Sequence, residues 1–243
     1  IKKIKKKNFI GNVKKKKKKY TPWAIEAAQI LKKNNPNEFL NDKEEFDVEF
    51  SSYINELFLQ RGKKSKRYGK LSSDYYKNLE DVSSGGKGLR GYLVWLGYRI
   101  AGGKEISKIL PACAGVEMFH NFLLIHDDVI DKSDKRRQKP TIHKKYEKIF
   151  GEHYGLSQAI VVGDIAAVEA FSLINSLSFE QKYKDKAISQ MMNYLLETVY
   201  GEGMDVEFAH RKTSYLEILK MTEMKTAGYS FVGPMTVGAI LVG

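Results

Sequence analysis

The stretch EMFHNFLLIHDDVIDKSDKRRQKPTIH, residues 117–143, determines both the fold expected of this chain and its chemistry. Its apolar first half ends in three aspartates, Asp127, Asp128 and Asp131, and the pair Arg136-Arg137 follows. Residues four apart share one face of a helix, so we expect Asp127 and Asp131 to project together and Asp128 to point to the side. Proteins bind Mg²⁺ through one or two carboxylates together with substrate phosphates, and arginine forks suit phosphate oxygens. The stretch therefore predicts a magnesium-diphosphate site.

A DDxxD string by itself is a weak signal, because such strings often cap a helix or line a solvated face. Here the string is followed by RRQKPTIH at residues 136–143, and a chance match to both strings together is much rarer. We therefore favour the metal-diphosphate interpretation over a helix cap.

A second motif, SSGGKGLR at residues 83–90, precedes the apolar stretch 92–101. Glycines let a backbone approach a ligand closely, and the N-terminus of the following helix favours an anion. Lys87 and Arg90 are three residues apart and share one helical face. The motif predicts a second diphosphate site, although a plain glycine-rich turn explains it equally well.

The positive charge of the chain is concentrated in its first residues. Lysine and arginine outnumber aspartate and glutamate by 41 to 29, but residues 1–19 hold eleven lysines and no acid. Blocks of like charge are usually disordered, so we assign 1–20 to a low-complexity tail and 21–243 to the folded domain. A solvated tail without a partner is the preferred interpretation, and weak contact with an anionic lipid surface or nucleic acid is the alternative.

The cysteine content and the apolar segments of the sequence indicate where in the cell the protein is located. Cys113 is the single cysteine and cannot form an internal disulfide, which agrees with a reducing compartment. The lysine run is not followed by the apolar region of a secretory signal. The apolar run 231–243 is too short to span a bilayer. We expect a cytoplasmic protein.

The rest of the chain shows helical periodicity and no strand alternation. Arg61 to Lys70 is a basic stretch that we interpret as a loop, and GEGMD at 201–205 as a connection. Long helices with short connections predict an all-α bundle whose interior carries a ligand site. The predicted helices cover residues 21–33, 46–60, 92–101, 106–131, 154–175, 182–200 and 215–226.

Taken together, the motifs resemble those of the trans-isoprenyl diphosphate synthases of the polyprenyl synthetase family, in particular the archaeal-type geranylgeranyl diphosphate synthases. The resemblance implies the isoprenoid synthase fold, an antiparallel helix bundle around a deep cavity, in a homodimer. It also implies Mg²⁺-dependent condensation of isopentenyl diphosphate with an allylic diphosphate. The motifs, in the family's order, are GGKGLR (85–90), the stretch 117–143, GD (163–164), GEGMD (201–205) and KTAGYSFVGP (225–234).

Residue roles follow from the same resemblance. Asp127 and Asp131 correspond to magnesium ligands, with Asp128 beside them, and His126 is left as a structural residue. The isopentenyl diphosphate pocket is implied to contain Lys87, Arg90, His120 and Arg137. The allylic diphosphate is implied to contact Arg136, Lys225 and Thr226, with Asp205 near the metal-bound waters; Lys225 also counts as catalytic, together with the three aspartates.

Three side chains before the aspartates are expected to line the prenyl chain and set its length. Phe119, Phe122 and Leu123 would shelter the allylic cation from water. At about 100° per residue, Leu123 lies roughly 40° from Asp127 and leaves room, whereas Phe122 blocks further growth. We therefore predict a twenty-carbon product, geranylgeranyl diphosphate, with a farnesyl or longer polyprenyl product as the alternative.

The chain departs from the family pattern in three places. Gly88 and Gly91 stand where a basic residue and a proline are frequent, and Glu202 stands where glutamine is frequent. A second aspartate-rich motif is expected beyond residue 243, so we expect the stretch by itself to lack part of the metal site. The sequence starts at isoleucine and stops within a helical pattern, so we expect both of its ends to be cut.

Two other classes of protein remain as alternatives. A noncatalytic synthase-like partner subunit would fit the truncation, but it would not need both diphosphate sites. A terpene cyclase would share the aspartate-rich motif and magnesium, but it has no use for the second pocket at residues 85–90.

Overall fold

The computed structural model describes residues 36–243, which form one structural unit. The Lys-rich tail 1–20 and the helix predicted at 21–33 lie outside the described residues. Helices account for most of the described backbone and the strands for only four residues of it, so the all-α class is confirmed.

Nine α-helices follow one another within residues 36–243, connected by short segments. A 3₁₀ turn, Lys66–Tyr68, separates the first two helices, a two-stranded hairpin follows the fourth, and a π-helix precedes the ninth. The α-helices are α1 Pro36–Ser65, α2 Lys70–Ser83, α3 Leu89–Ile100, α4 Ile106–Ile130, α5 Ile142–Phe150, α6 Glu152–Asn175, α7 Gln181–Phe208, α8 Tyr215–Thr222 and α9 Gly233–Ile240; the strands are β1 Lys135–Arg136 and β2 Lys139–Pro140, and the π-helix is Glu223–Val232.

Helix α4 lies at the centre of the unit and positions the aspartates at its C-terminal end. It packs against α6 on one side and α3 on another, and its buried residues include Ile109, Cys113 and Val116. The burial follows from its composition, because a helix that is apolar on all sides is stable in water only inside a core.

Two helices are long and apolar enough to cross a membrane by length and composition alone. They are α4 and α6, and they pack on each other. Core helices of soluble proteins have the same properties, and the burial of α4 is typical of a core helix.

Three segments differ from the sequence-based expectation. Residues 201–205, interpreted as a connection, lie inside α7. The helix predicted at 215–226 becomes a π-helix at Glu223, and that π-helix carries Lys225 and Thr226. The basic stretch from Arg61 to Lys70 is helical for most of its length rather than a loop.

Candidate active site

Two of the three aspartates are bound together by one arginine. Asp127 and Asp128 lie in the last turn of α4, and Asp131 follows the helix directly. Arg136 donates from Nε to Asp128 Oδ1 at 2.9 Å and from Nη2 to Asp127 Oδ2 at 2.8 Å. Burial raises the pKa of Asp128, and the Arg136 guanidinium opposes that rise. The positive charge of Arg136 therefore offsets the repulsion between two neighbouring carboxylates at the end of α4.

Lys225 brings a second cation to the same carboxylates from the opposite wall. Its Nζ lies 2.6 Å from Asp205 Oδ2, 2.9 Å from Glu202 Oε2 and 3.4 Å from Asp127 Oδ1. Burial by itself would lower the pKa of Lys225, but the hydrogen bonds to Asp205 and Glu202 raise it above its ordinary value. The ammonium group therefore stays charged and holds α4, α7 and the π-helix together at this point.

The carboxylates around Lys225 fit a hard divalent cation by ligand type. They supply oxygen atoms from two facing helices, and Glu202 Oε1 is buried without a hydrogen-bond partner. Burial raises the pKa of Glu202, and Lys225 opposes that rise. Among the side chains of residues 42–243 no three metal-binding groups converge as a preformed cluster, and Arg136 and Lys225 contact the carboxylates instead. An entering cation would replace these ammonium and guanidinium contacts.

A second polar group lies around Arg90, at the start of α3. Arg90 Nη2 donates to Ser230 Oγ at 2.7 Å and to Tyr229 Oη at 3.3 Å, and its guanidinium lies 4.9 Å from the centre of the Tyr229 ring. The His120 ring lies 6.1 Å from that of Tyr229. The structure thus brings Arg90 and His120 together through a tyrosine that carries a polar hydroxyl.

His120 is neutral in this environment. Burial lowers its pKa to about 3, with further lowering from Arg90, Arg137 and Arg136. Its Nδ1 atom is buried and has no hydrogen-bond partner. A neutral imidazole with a free nitrogen can exchange one hydrogen bond with a bound ligand without changing its charge.

The β1–β2 hairpin directs the two neighbouring arginines to different places. Arg136 reaches the aspartates, whereas Arg137 Nη1 donates to the carbonyl oxygen of Val82 at 3.0 Å and lies across the backbone of Gly85. Lys87 is exposed and lines a separate cavity of about 520 Å³. The structure therefore places Arg137 on the glycine-rich loop and leaves Lys87 apart from Arg90 and His120.

An apolar cavity of about 650 Å³ extends from the carboxylates around Lys225 to Tyr229, the partner of Arg90. Phe122 and Leu123 line it below Asp127, and Tyr229 lines it beside Arg90. Phe119 is buried behind these side chains, with ring centres 6.2 Å from Phe122 and 6.3 Å from Tyr229. The cavity wall before the aspartates is thus formed by Phe122 and Leu123, and Phe119 supports it. Its lining also includes Leu124, His126, Ile130, Thr198, Val199, Glu202, Gly203, Val206, Lys225 and Thr226.

Comparison with known proteins identifies the family. The family model described as polyprenyl synthetase matches residues 73–243, most of the chain. This chain belongs to the polyprenyl synthetase family.

Similar polyprenyl synthetases include archaeal and bacterial proteins. A geranylgeranyl diphosphate synthase of Methanosarcina mazei is 33% identical over 163 residues, 67% of this chain and 47% of that protein. A short chain isoprenyl diphosphate synthase of Methanocaldococcus jannaschii is 33% identical over 158 residues, 65% of this chain and 45% of that protein. The chain spans about half the length of these curated relatives.

A solved structure shares the fold of this polyprenyl synthetase chain. It is a geranylgeranyl pyrophosphate synthase from Corynebacterium glutamicum, complexed with isoprenyl diphosphate and magnesium. The TM-score is 0.72 at 26% identity, and the match covers 83% of this chain and 60% of that one. The predicted isoprenoid synthase fold is therefore confirmed.

Two features of this polyprenyl synthetase site were missed from the sequence. Tyr229 lies four residues after Lys225 within the KTAGYSFVGP motif, but no role was predicted for it from the sequence. His126 packs on Gly163, where an added Cβ would lie 2.3 Å from the ring, and its Nε2 lies 3.6 Å from Asp164 Oδ1. The GD pair at 163–164 therefore makes room for His126 and faces it with a carboxylate.

Proposed function

We propose that this polyprenyl synthetase condenses isopentenyl diphosphate with an allylic diphosphate and releases geranylgeranyl diphosphate. One observation carries the proposal: a single apolar cavity is lined by Asp127 and Lys225 of the first polar group and by Tyr229, whose hydroxyl accepts a hydrogen bond from Arg90 of the second group. A reaction that joins two diphosphate esters needs two such groups and an apolar space for the hydrocarbon chain.

The reaction begins with heterolysis of the allylic C–O bond, which leaves a carbocation and a diphosphate. Lys225 and Arg136, which contact Asp127, would bind the oxygens on which negative charge develops. The double bond of isopentenyl diphosphate then attacks the cation, and the new carbocation loses a proton to the departing diphosphate. Phe122 and Leu123 keep water away from the cation because they line the cavity with apolar atoms.

Magnesium is part of the proposal. Asp127 and Asp131 would hold it, with Asp128 beside them and Asp205 near its waters, and it would neutralise the diphosphate. The orphaned oxygen of Glu202 supports a cation requirement at this place. The Corynebacterium glutamicum relative was crystallised with magnesium and isoprenyl diphosphate, which supports the same choice of metal.

The second substrate would occupy the other polar group. Arg90, His120 and Arg137 would bind isopentenyl diphosphate, while Thr226, which lines the cavity beside Lys225, would contact the allylic diphosphate. Lys87 would approach this group from the neighbouring 520 Å³ cavity, which its exposed side chain lines.

We also propose an oligomeric state and a cellular location for the protein. A homodimer is supported by apolar side chains that α5 and α6 leave exposed, among them Phe150, Ile160 and Val168. A cytoplasmic location is supported by the buried single thiol, Cys113. The weak anionic-surface contact suggested for the Lys-rich tail rests on its composition alone.

The test is turnover of the full-length protein with isopentenyl diphosphate and an allylic diphosphate, with Mg²⁺ present or removed by a chelator. Asp127→Ala and Asp131→Ala should each lower the rate by orders of magnitude, since metal-assisted charge stabilisation amounts to several kcal/mol. Asp134→Ala is the matched control, because this exposed aspartate pairs only with Lys144 among the side chains of residues 42–243 and should keep the normal rate. A folded full-length protein without turnover would favour the noncatalytic partner subunit.

A further inference from the structure

A concentrated basic surface lies away from the cavity, where α1 ends and α2 begins. We call residues 63–71 the basic corner. All five of its cationic side chains are exposed, and none of them forms an ion pair with a carboxylate in residues 42–243. The five are Lys63, Lys64, Lys66, Arg67 and Lys70. Within residues 42–243 the basic corner therefore carries five charges without an acidic partner, although residues 21–243 together are nearly neutral.

The basic corner also exposes apolar groups among its charges. Tyr68 is 70% exposed and Leu71 is 40% exposed. The Arg67 guanidinium lies 4.6 Å from the centre of the Tyr68 ring. Tyrosine beside lysine and arginine is typical of groups at a membrane-water interface, where the ring enters the headgroup layer and the cations stay at its surface.

A cavity of about 330 Å³ opens on the basic corner. Lys64, Arg67 and Tyr68 lie at this cavity, together with Tyr75 and Tyr76. The tyrosine hydroxyls are already bound, that of Tyr75 to Gln158 and that of Tyr76 to Glu169. The polar groups of the inner wall are thus satisfied, and the exposed cations remain available to an anion at the surface.

One further ion pair shows that the inner wall is electrically balanced. Arg61 Nε lies 3.0 Å from Glu169 Oε2, and both side chains are largely covered. The inner wall therefore offers no free charge to a ligand, and the exposed cations of the basic corner are the groups that can attract an anionic partner.

We propose that the basic corner docks the protein on an anionic lipid bilayer. The mixture of cations with an exposed tyrosine and leucine favours a bilayer over nucleic acid, because a bilayer offers phosphates and an apolar layer to one surface. The proposal is independent of the reaction proposed above, since none of these residues lines the 650 Å³ cavity.

The test is sedimentation of the full-length protein with vesicles of phosphatidylcholine mixed with phosphatidylserine, and with vesicles of phosphatidylcholine alone. Lys64→Gln, Lys66→Gln, Arg67→Gln and Lys70→Gln are combined in one variant. Each basic residue near an anionic surface strengthens binding about fivefold, so the variant should bind the mixed vesicles several hundredfold more weakly at low salt.

The matched control removes four other exposed lysines, as Lys148→Gln, Lys182→Gln, Lys186→Gln and Lys220→Gln. This control variant has the same net charge as the corner variant and should bind the mixed vesicles nearly as strongly as the wild type does. A second background replaces all eleven lysines of residues 1–19 by glutamine, so that the tail contributes little to either measurement. Tyr68→Ala should weaken binding in this background without changing the salt dependence.

Three results would overturn the proposal. The control could lose as much affinity as the corner variant, which would show unspecific attraction to total charge. The tail variant could abolish binding by itself. Duplex DNA or single-stranded RNA could compete away the vesicles at low concentration, which would assign the surface to nucleic acid. Circular dichroism of each variant confirms that its helices are intact.

Discussion

The backbone of Gly201 lies directly against the backbone of Lys225. A Cβ added at Gly201 would lie 2.6 Å from the Lys225 nitrogen and 2.9 Å from its Cα. The absence of a side chain at Gly201 therefore lets the π-helix approach α7 closely enough for Lys225 to reach Asp205 and Glu202.

Gly201→Ala should destabilise the protein and misplace Lys225. Real Cβ atoms do not come this close to backbone atoms, so the two helices must separate at a cost of about 1–3 kcal/mol. Gly203→Ala is the control, because an added Cβ there meets nothing within 4 Å and alanine raises helix propensity by up to about 1 kcal/mol. Urea unfolding and turnover of both variants give the comparison. Equal stabilities would contradict the role assigned to Gly201.

This contact also shows what the sequence can predict. The apolar periodicity identified the long helices and placed the aspartates at the end of one, because burial and helix geometry leave the same pattern in the chain. It did not predict that residues 201–205 continue α7. In the sequence, the glycines at 201 and 203 indicate the end of a helix. The close approach of the Lys225 backbone explains why Gly201 is needed inside α7.

Side-chain partners were beyond prediction for the same reason. The RR pair suggested phosphate binding. The structure directs Arg136 to Asp127 and Arg137 to the carbonyl of Val82, and these different partners depend on the turn of the β1–β2 hairpin. The π-helical conformation around Lys225 likewise depends on packing against α7. Tertiary contacts of this kind have no signature in local propensity.

His120 should make the stability of the protein sensitive to acid. Its pKa is lowered to about 3 by burial and by Arg90, Arg137 and Arg136, whereas in the unfolded chain it is near 6.5. Below about pH 6.5 the unfolded state binds a proton that the folded state excludes, so the contribution of neutral His120 is full above that pH and is lost as the pH falls. Between about pH 7.5 and pH 5 the loss is about 2 kcal/mol.

The measurement is urea unfolding of the wild type and of His120→Asn at both pH values. Glu117 and Glu202, whose pKa values are raised, titrate in both proteins and cancel in the difference. The variant should lose about 2 kcal/mol less than the wild type over this interval. Parallel losses would mean that His120 is not the group excluded from protonation.

The turn between β1 and β2 should tolerate glycine and reject proline. Arg137 and Gln138 both have positive φ angles, 50° and 66°, as two-residue hairpin turns require. Gln138→Gly should raise stability by about 0.5–1 kcal/mol, because glycine adopts this conformation without strain but has more freedom when unfolded. Gln138→Pro fixes φ near −65°, so it should open the hairpin and release Arg136 from the aspartates. Thermal unfolding checks the first variant, and turnover checks both; a fully active proline variant would show that the hairpin does not position Arg136.

The length of the product should depend on the two side chains that line the cavity below Asp127. Phe122→Ala removes a ring from the wall and should allow products longer than twenty carbons, whereas Leu123→Phe adds a ring and should shorten them. Phe119→Leu is the control: this buried ring stands behind the wall, so its replacement should cost stability, about 1 kcal/mol, with little effect on length. Chromatography of dephosphorylated products from the full-length protein decides the matter. If both wall variants still give the wild-type product, chain growth is limited by another part of the cavity.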